Sequence, residues 1–389
     1  MAKRAAQPAE PAAAAQPDPE TSGPAHPLTL LDDLIGQEPA KRTLLGAMQS
    51  GRVHHAWIFS GPVGVGKFSA AIAFAAALLD PTTQPDLSGR LAPEAGSPVQ
   101  QLVRSGAHPD LHVIRKEFAA VSSEKSVRDG KQITLAKAVI DEFLLGPSRL
   151  SRVMQGASMA GKVFIVDEAE LMNANSQNAL LKTLEEPAPG TVLILVSSAE
   201  DRLLTTIRSR SQRVAFAPLS DQEMSRWLVA NAPDLAPARR DWLMRFAGGS
   251  PGAAKVAIEH DLFAWESEIG PKLRDTISGK FSADLGAKMA ALIDDRAAAA
   301  VKAAPDSSKD AANKAWARRM LAFVAETARA RLRTDAAAGG GGVNSPDVYR
   351  QLGAIDSVTQ AEQHLASNVN LAMVMENLAA QLGAEPVGV

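Results

Sequence analysis

At 389 residues the chain exceeds the size at which a single hydrophobic core stops growing, about 250 to 300 residues, so two or three domains are expected. Its make-up, 46% hydrophobic and 22% charged, is that of a folded globular protein and excludes wholesale disorder. Forty-one Lys+Arg against 43 Asp+Glu leave a net charge of -2, which excludes a strong positive field for nucleic acid, and the lack of any cysteine excludes disulfides, thiolate catalysis and thiolate metal sites.

Residues 1–27 hold nine Ala and six Pro with almost no large apolar side chain, and a disordered tail is expected there. Lys3 and Arg4 precede no apolar stretch, and Glu10, Asp18 and Glu20 argue against a transit peptide. From Leu28 to about Pro218, short apolar runs alternate with helical stretches, the pattern of a sheet with crossover helices. Ala56 to Ser60, Leu111 to Ile114, Lys162 to Asp167 and Thr191 to Ser197 are predicted as buried parallel strands, with Gln212 to Phe216 as a fifth. The longest apolar run, Ala70 to Leu79, falls far short of the roughly 20 residues that span a bilayer and reads as a buried helix, so a cytoplasmic location is expected. After Pro218 the chain reads as helical throughout. Three short helices are predicted over Ser220 to Glu259, broken by Pro233, Pro237 and the turn Gly248-Gly249-Ser250-Pro251-Gly252. An all-α segment follows from about His260 to Leu382, interrupted at Pro305 to Lys309 and at Gly339 to Gly342. Its last helix sets Leu371, Val374, Met375, Leu378 and Leu382 on one apolar stripe, read first as ordinary core and second as a face for a neighbouring subunit. The expected fold class is an α/β phosphate-loop core over 28–218, a small helical domain over 219–259 and an all-α domain over 260–385.

Chemistry concentrates in the first of these. Gly61-Pro62-Val63-Gly64-Val65-Gly66-Lys67 lies directly between a predicted strand and a predicted helix, where glycines let backbone N–H groups curl around phosphate oxygens and Lys67 reaches the terminal phosphates. The next position should carry a hydroxyl to hold magnesium, and here it is Phe68; Ser69 is turned away by one helical step. An aromatic ring cannot ligate magnesium, so the nucleotide pocket is expected to be impaired. Val163-Phe164-Ile165-Val166-Asp167-Glu168 is an apolar strand ending in two acids, the place for a metal-organising Asp and a base, although acids also cap helices there. Thr205-Thr206-Ile207-Arg208-Ser209-Arg210-Ser211-Gln212 carries two arginines that are surface charges when taken alone. His54 and His55 have no partner at ligand spacing and are read as structural, and His108, before Pro109, is read as a loop residue.

These segments together resemble the delta prime family of bacterial DNA polymerase III clamp-loader subunits, a branch of the AAA+ superfamily, over about residues 30 to 385. The resemblance rests on Leu34-Ile35-Gly36-Gln37, on Gly51-Arg52-Val53-His54-His55-Ala56-Trp57, on His108-Pro109-Asp110-Leu111 and above all on Asn178-Ala179-Leu180-Leu181-Lys182-Thr183-Leu184-Glu185-Glu186-Pro187. Ser209-Arg210-Ser211 is similar to the Ser-Arg-Cys motif of clamp loaders, with Ser211 in place of the cysteine. The resemblance implies that Arg210 is an arginine finger reaching a neighbour's ATP site, with Arg208 as the substitute, and that Ser197 and Ser198 form the sensor-1 region. It also implies a helical lid over 219–259 and an oligomerising collar over 260–385. The sensor-2 arginine expected after Gly249-Ser250 is absent, and the stretch Asp80 to Gly106, where motor subunits carry a four-cysteine zinc module, has no cysteine, so no zinc is expected.

The implied function is that of a stationary delta prime member of a loader that uses ATP to place a sliding clamp on primed DNA. Motor ATPase subunits, the delta subunit, the clamp and primer-template DNA are then its partners, in a hetero-oligomer with no membrane. Weak ATP binding at Gly61, Gly64, Gly66 and Lys67 is compatible with this, whereas an ordered magnesium ion is not expected. Lys67 with Asp167 and Glu168 also supports an active AAA+ ATPase, either a motor subunit or a related replication or recombination enzyme.

Overall fold

The computed structural model describes residues 26, 30–85, 91–128, 134–154, 156–303, 309–337, 346–367 and 369–384. The expected tail over 1–27 therefore lies outside the described residues apart from His26, as do the interruptions near 304–308 and 338–345. The chain divides into two compact units, one of residues 1–61 and 67–216, the other of residues 62–66 and 217–389.

The first unit is built on a parallel sheet. Its strands are β1 (Ala56–Ser60), β4 (Leu111–Ile114), β5 (Lys162–Val166), β6 (Thr191–Ser197) and β7 (Gln212–Ala215), in the spatial order β4-β5-β6-β1-β7. A two-residue ribbon, β2 (Gln84–Pro85) with β3 (Leu91–Ala92), is antiparallel and separate. Every residue of β1, β5 and β6 is buried, which is why these strands read as unbroken apolar runs: helices cover both faces. Those helices include α1 (Glu38–Gln49), α2 (Lys67–Leu79) and α7 (Ala174–Glu185), and α3 (Pro98–Arg104) packs on α2. Helix α2 buries every residue from Ala70 to Leu79, so the longest apolar run is core. Helix α7 starts where Asn173 accepts a hydrogen bond from the backbone N–H of Ser176 at 2.9 Å, satisfying one orphan donor of its first turn. Between β4 and β5 lie the short helices α4 (Lys125–Arg128), α5 (Lys137–Ile140) and α6 (Gly146–Ser148), the last two joined by a π-helical turn over Asp141–Leu145. Helix α8 (Thr205–Arg208) is a single turn leading into β7. Ile58, Ile114, Phe164, Val166, Leu180 and Leu195 belong to one buried cluster of this unit.

The second unit has no strand among its described residues. Helices α9 (Asp221–Asn231), α10 (Pro237–Ala247) and α11 (Pro251–Glu259) occupy the stretch where three short helices are expected. After them come α12 (Leu262–Ile277), α13 (Leu285–Ala303), α14 (Lys309–Ala337), α15 (Pro346–Ala366) and α16 (Leu371–Leu382). Helix α16 packs on α13 and α15 and buries Val374, Met375, Leu378 and Leu382, so most of the predicted stripe is core of this chain. Aromatic rings join the shorter helices to the longer ones: Trp242 stacks on Phe246 at 4.6 Å, Phe246 lies 5.8 Å from Phe323, and Phe323 meets the edge of Trp265 at 6.0 Å.

Candidate functional site

The phosphate loop opens at the C-terminal end of β1 and closes into α2. Gly64 and Gly66 have φ of 77° and 101°, a backbone region that only glycine adopts without strain, and this is what lets the loop turn back on itself. Lys67 is buried, and its Nζ donates to the Gly61 carbonyl at 2.7 Å. Burial pushes the Lys67 ammonium below its usual range, while the carboxylates of Glu170 and Asp167 pull it the other way. Within the second unit, Pro62 to Gly66 meets the turn after α10. The Gly252 N–H donates to the Gly64 carbonyl at 2.9 Å, and Ser250 Oγ donates to the Val63 carbonyl at 3.1 Å. Ser250 also caps α11 by accepting from Ala253 N–H at 3.1 Å. A Cβ on Gly64 would collide with Ser250 Oγ, so the glycine is required by packing as well as by its φ.

At the end of β5 the register decides which side chains meet. Ile114 of β4 is the partner of Val166 of β5, so the next residues along each strand, Arg115 and Asp167, come side by side, and so do Lys116 and Glu168. Both pairs form: Arg115 Nε lies 3.5 Å from Asp167 Oδ2, and Lys116 Nζ lies 2.7 Å from Glu168 Oε2. The same guanidinium sits over the Phe68 ring, 4.6 Å from its centroid, and the His26 ring lies 5.6 Å from Phe68. Burial raises the Asp167 carboxyl above its usual range, Arg115 opposes this, and Glu168 adds to it. Glu168 holds a left-handed backbone at φ 50°, a strained conformation for a side chain of its kind. The residues present do not fit a magnesium ion: Phe68 offers no hydroxyl, and the carboxylate that would organise the metal faces a guanidinium.

Glu170, which sequence reasoning passed over, links the acids to the end of β6. Its Oε1 accepts from the Ser198 backbone N–H at 3.2 Å and from the Ser198 hydroxyl. Burial raises this carboxyl, but the hydrogen bonds from Ser198 and Ser197 outweigh it and hold Glu170 below the usual range. Ser197 is buried, and its hydroxyl accepts from the Ala199 N–H at 3.1 Å. The only signal for Glu170 in the sequence is that it is a third acid close behind Asp167 and Glu168.

Arg210 is found elsewhere on this unit. It follows the single turn of α8, donates to the Thr206 carbonyl at 3.1 Å and pairs with Glu185 Oε1 at 2.9 Å. Its side chain keeps 38% of its surface exposed. Glu185 is the last residue of α7, so the segment Asn178 to Pro187 that carried the resemblance also supplies the partner of this arginine. Among the described residues, the Arg208 guanidinium reaches Thr205 Oγ1 at 3.4 Å and no carboxylate. Arg213, not singled out from the sequence, pairs with Glu200 at 2.7 Å and donates to Ser60 Oγ at 3.2 Å.

A family model described as "DNA polymerase III, delta subunit" matches residues 36–220. The chain is 36% identical over 202 residues to DNA polymerase III subunit delta' of Pseudomonas aeruginosa, a match covering 52% of this chain and 55% of that one. It is 28% identical over 201 residues to the subunit of the same name from Bacillus subtilis, covering 52% and 53%. DNA polymerase III subunit tau of Bacillus subtilis is 31% identical over 194 residues, covering 49% of this chain and 30% of that one. The chain thus spans about half the length of the delta' relatives it matches. The family match ends just past the last strand of the sheet, so it falls on the part of the chain that holds the α/β fold.

Proposed function

We propose that this chain is a non-hydrolysing delta prime subunit of a DNA polymerase III clamp loader. In this reading it works in the cytoplasm within a hetero-oligomer of motor ATPase and delta subunits, and supports the ATP-driven loading of a sliding clamp onto primed DNA. The observation that carries it is the pairing of Asp167 and Glu168 with Arg115 and Lys116 beside Phe68. Hydrolysis needs a metal-organising acid, a hydroxyl on the metal and a residue that orients water, and here the acids are engaged by cations and the hydroxyl is missing. The similarity to a tau subunit favours the rival reading, an active motor, and Lys67 is the residue the two readings share.

Arg210 is the proposed contribution to catalysis, as a finger supplied to a neighbour. Its exposure and its guanidinium, which cannot lose its charge, suit that role. Glu185 would have to release it when a phosphate is engaged. The deciding experiment is ATP turnover by the purified chain with magnesium and primed DNA, beside Lys67→Ala. The expected result is no turnover above that variant. Turnover abolished by Lys67→Ala would place the chain among the motors.

A further inference from the structure

We propose that Arg115 is a built-in replacement for the divalent cation of the phosphate-loop site, with Phe68 as its seat. Three observations converge on this one side chain, and a fourth concerns its neighbour. It leaves the C-terminal end of β4, and the strand register sets it beside Asp167. It pairs with that carboxylate at 3.5 Å. Its guanidinium lies 4.6 Å from the centroid of the ring that occupies the hydroxyl position. Lys116 repeats the pairing one residue on, at 2.7 Å from Glu168, so the acid pair is matched by a basic pair in the same register.

The aromatic residue and the arginine thus act together. Loss of the hydroxyl alone would leave Asp167 able to hold a hydrated cation, as single carboxylates with water often do for magnesium. A guanidinium is planar, stays charged at any pH the protein meets and stacks on aromatic faces, so the Phe68 ring fixes it where it neutralises Asp167. A divalent cation entering beside it would meet a fixed positive charge in a partly dry setting, where charges act more strongly than in water. Restoring the hydroxyl is therefore insufficient to recover metal binding.

The test follows Mn²⁺, a spectroscopic substitute for magnesium, by electron paramagnetic resonance on the full chain with ATP present. Wild type and Phe68→Thr are expected to leave the signal that of Mn²⁺ and ATP alone, and Phe68→Thr/Arg115→Ala is expected to bind Mn²⁺ at least tenfold more tightly than either. Binding by wild type or by Phe68→Thr as tight as by the double variant overturns the proposal, and so does a double variant that takes up no more Mn²⁺ than wild type. Thermal melts of Arg115→Gln serve if the double variant does not fold. Millimolar Mg²⁺ is expected to raise the Tm of Arg115→Gln and to leave wild type unchanged, and an equal response in both overturns the counter-ion. The inference rests on the same ion pairs as the non-hydrolysing reading, and the outcomes separate the two: a chain that binds Mn²⁺ and hydrolyses nothing would refute the counter-ion and leave the absence of turnover standing.

Discussion

His112 on β4 stacks on Phe164 with ring centroids 4.7 Å apart, and its Nε2 is buried with no hydrogen-bond partner among the described residues. Burial pushes its pKa from 6.5 down to about 4, with Lys162 and His108 reinforcing the shift and Asp110 opposing it. The unfolded chain therefore takes up this proton first. Stability is complete above pH 6.5 and falls as the pH drops through the window from 6.5 to about 4, by about 3 kcal/mol at most from this group. His112→Leu is expected to remove that component, so urea midpoints of variant and wild type should differ more at pH 7 than at pH 4.5 in the direction of the wild type's advantage. Residue by residue, the site was legible wherever meaning follows from sequence spacing: Gly64, Gly66 and Lys67 from the loop, and Asp167 and Glu168 from a strand end. Arg115, Lys116, Glu170 and Glu185 were not, because each acquires its partner from a neighbouring strand or helix, and local spacing carries no record of that choice.

Strands β1, β5 and β6 were legible almost to the residue because burial on both faces forces an apolar run with polar ends. The β2–β3 ribbon was not, since two exposed residues on one side carry no pattern at all. Helix α9 begins with a reciprocal cap: Ser220 Oγ accepts from Glu223 N–H at 3.3 Å, and the Glu223 carboxylate accepts from Ser220 N–H at 2.8 Å. Ser220→Ala should cost about 1 kcal/mol of unfolding free energy, measured by denaturant titration. Helix α12 runs through Pro271 without a break, which proline rules alone would not suggest. In α16, Leu378 is fully buried, and Leu378→Ala should destabilise by about 2 to 5 kcal/mol through lost burial and the cavity left behind. A loss below about 1 kcal/mol would mean that this face is not the core position described.

For the molecule as a whole, the expected division was an α/β core, a lid and a collar, and the two helical stretches fall in one compact unit together with Pro62 to Gly66. Among the described residues no helix is long and apolar enough to cross a membrane. Arg210→Ala is expected to fold with unchanged circular dichroism, since it removes only one half-exposed ion pair and a bond to Thr206, and under the proposed function hydrolysis by a neighbouring subunit in the reconstituted complex is expected to fall by about 10³ to 10⁵. Unchanged turnover in the reconstituted complex would remove the finger assignment. By itself the sequence determined the fold class, the loop that could cradle phosphate and the missing magnesium hydroxyl, because periodicity, glycine spacing and side-chain chemistry are local properties. Only the tertiary structure decided which cation faces Asp167, what covers Phe68 and what holds Arg210. Those contacts depend on strand register and on residues far apart in sequence, and register is set by the packing of the whole sheet.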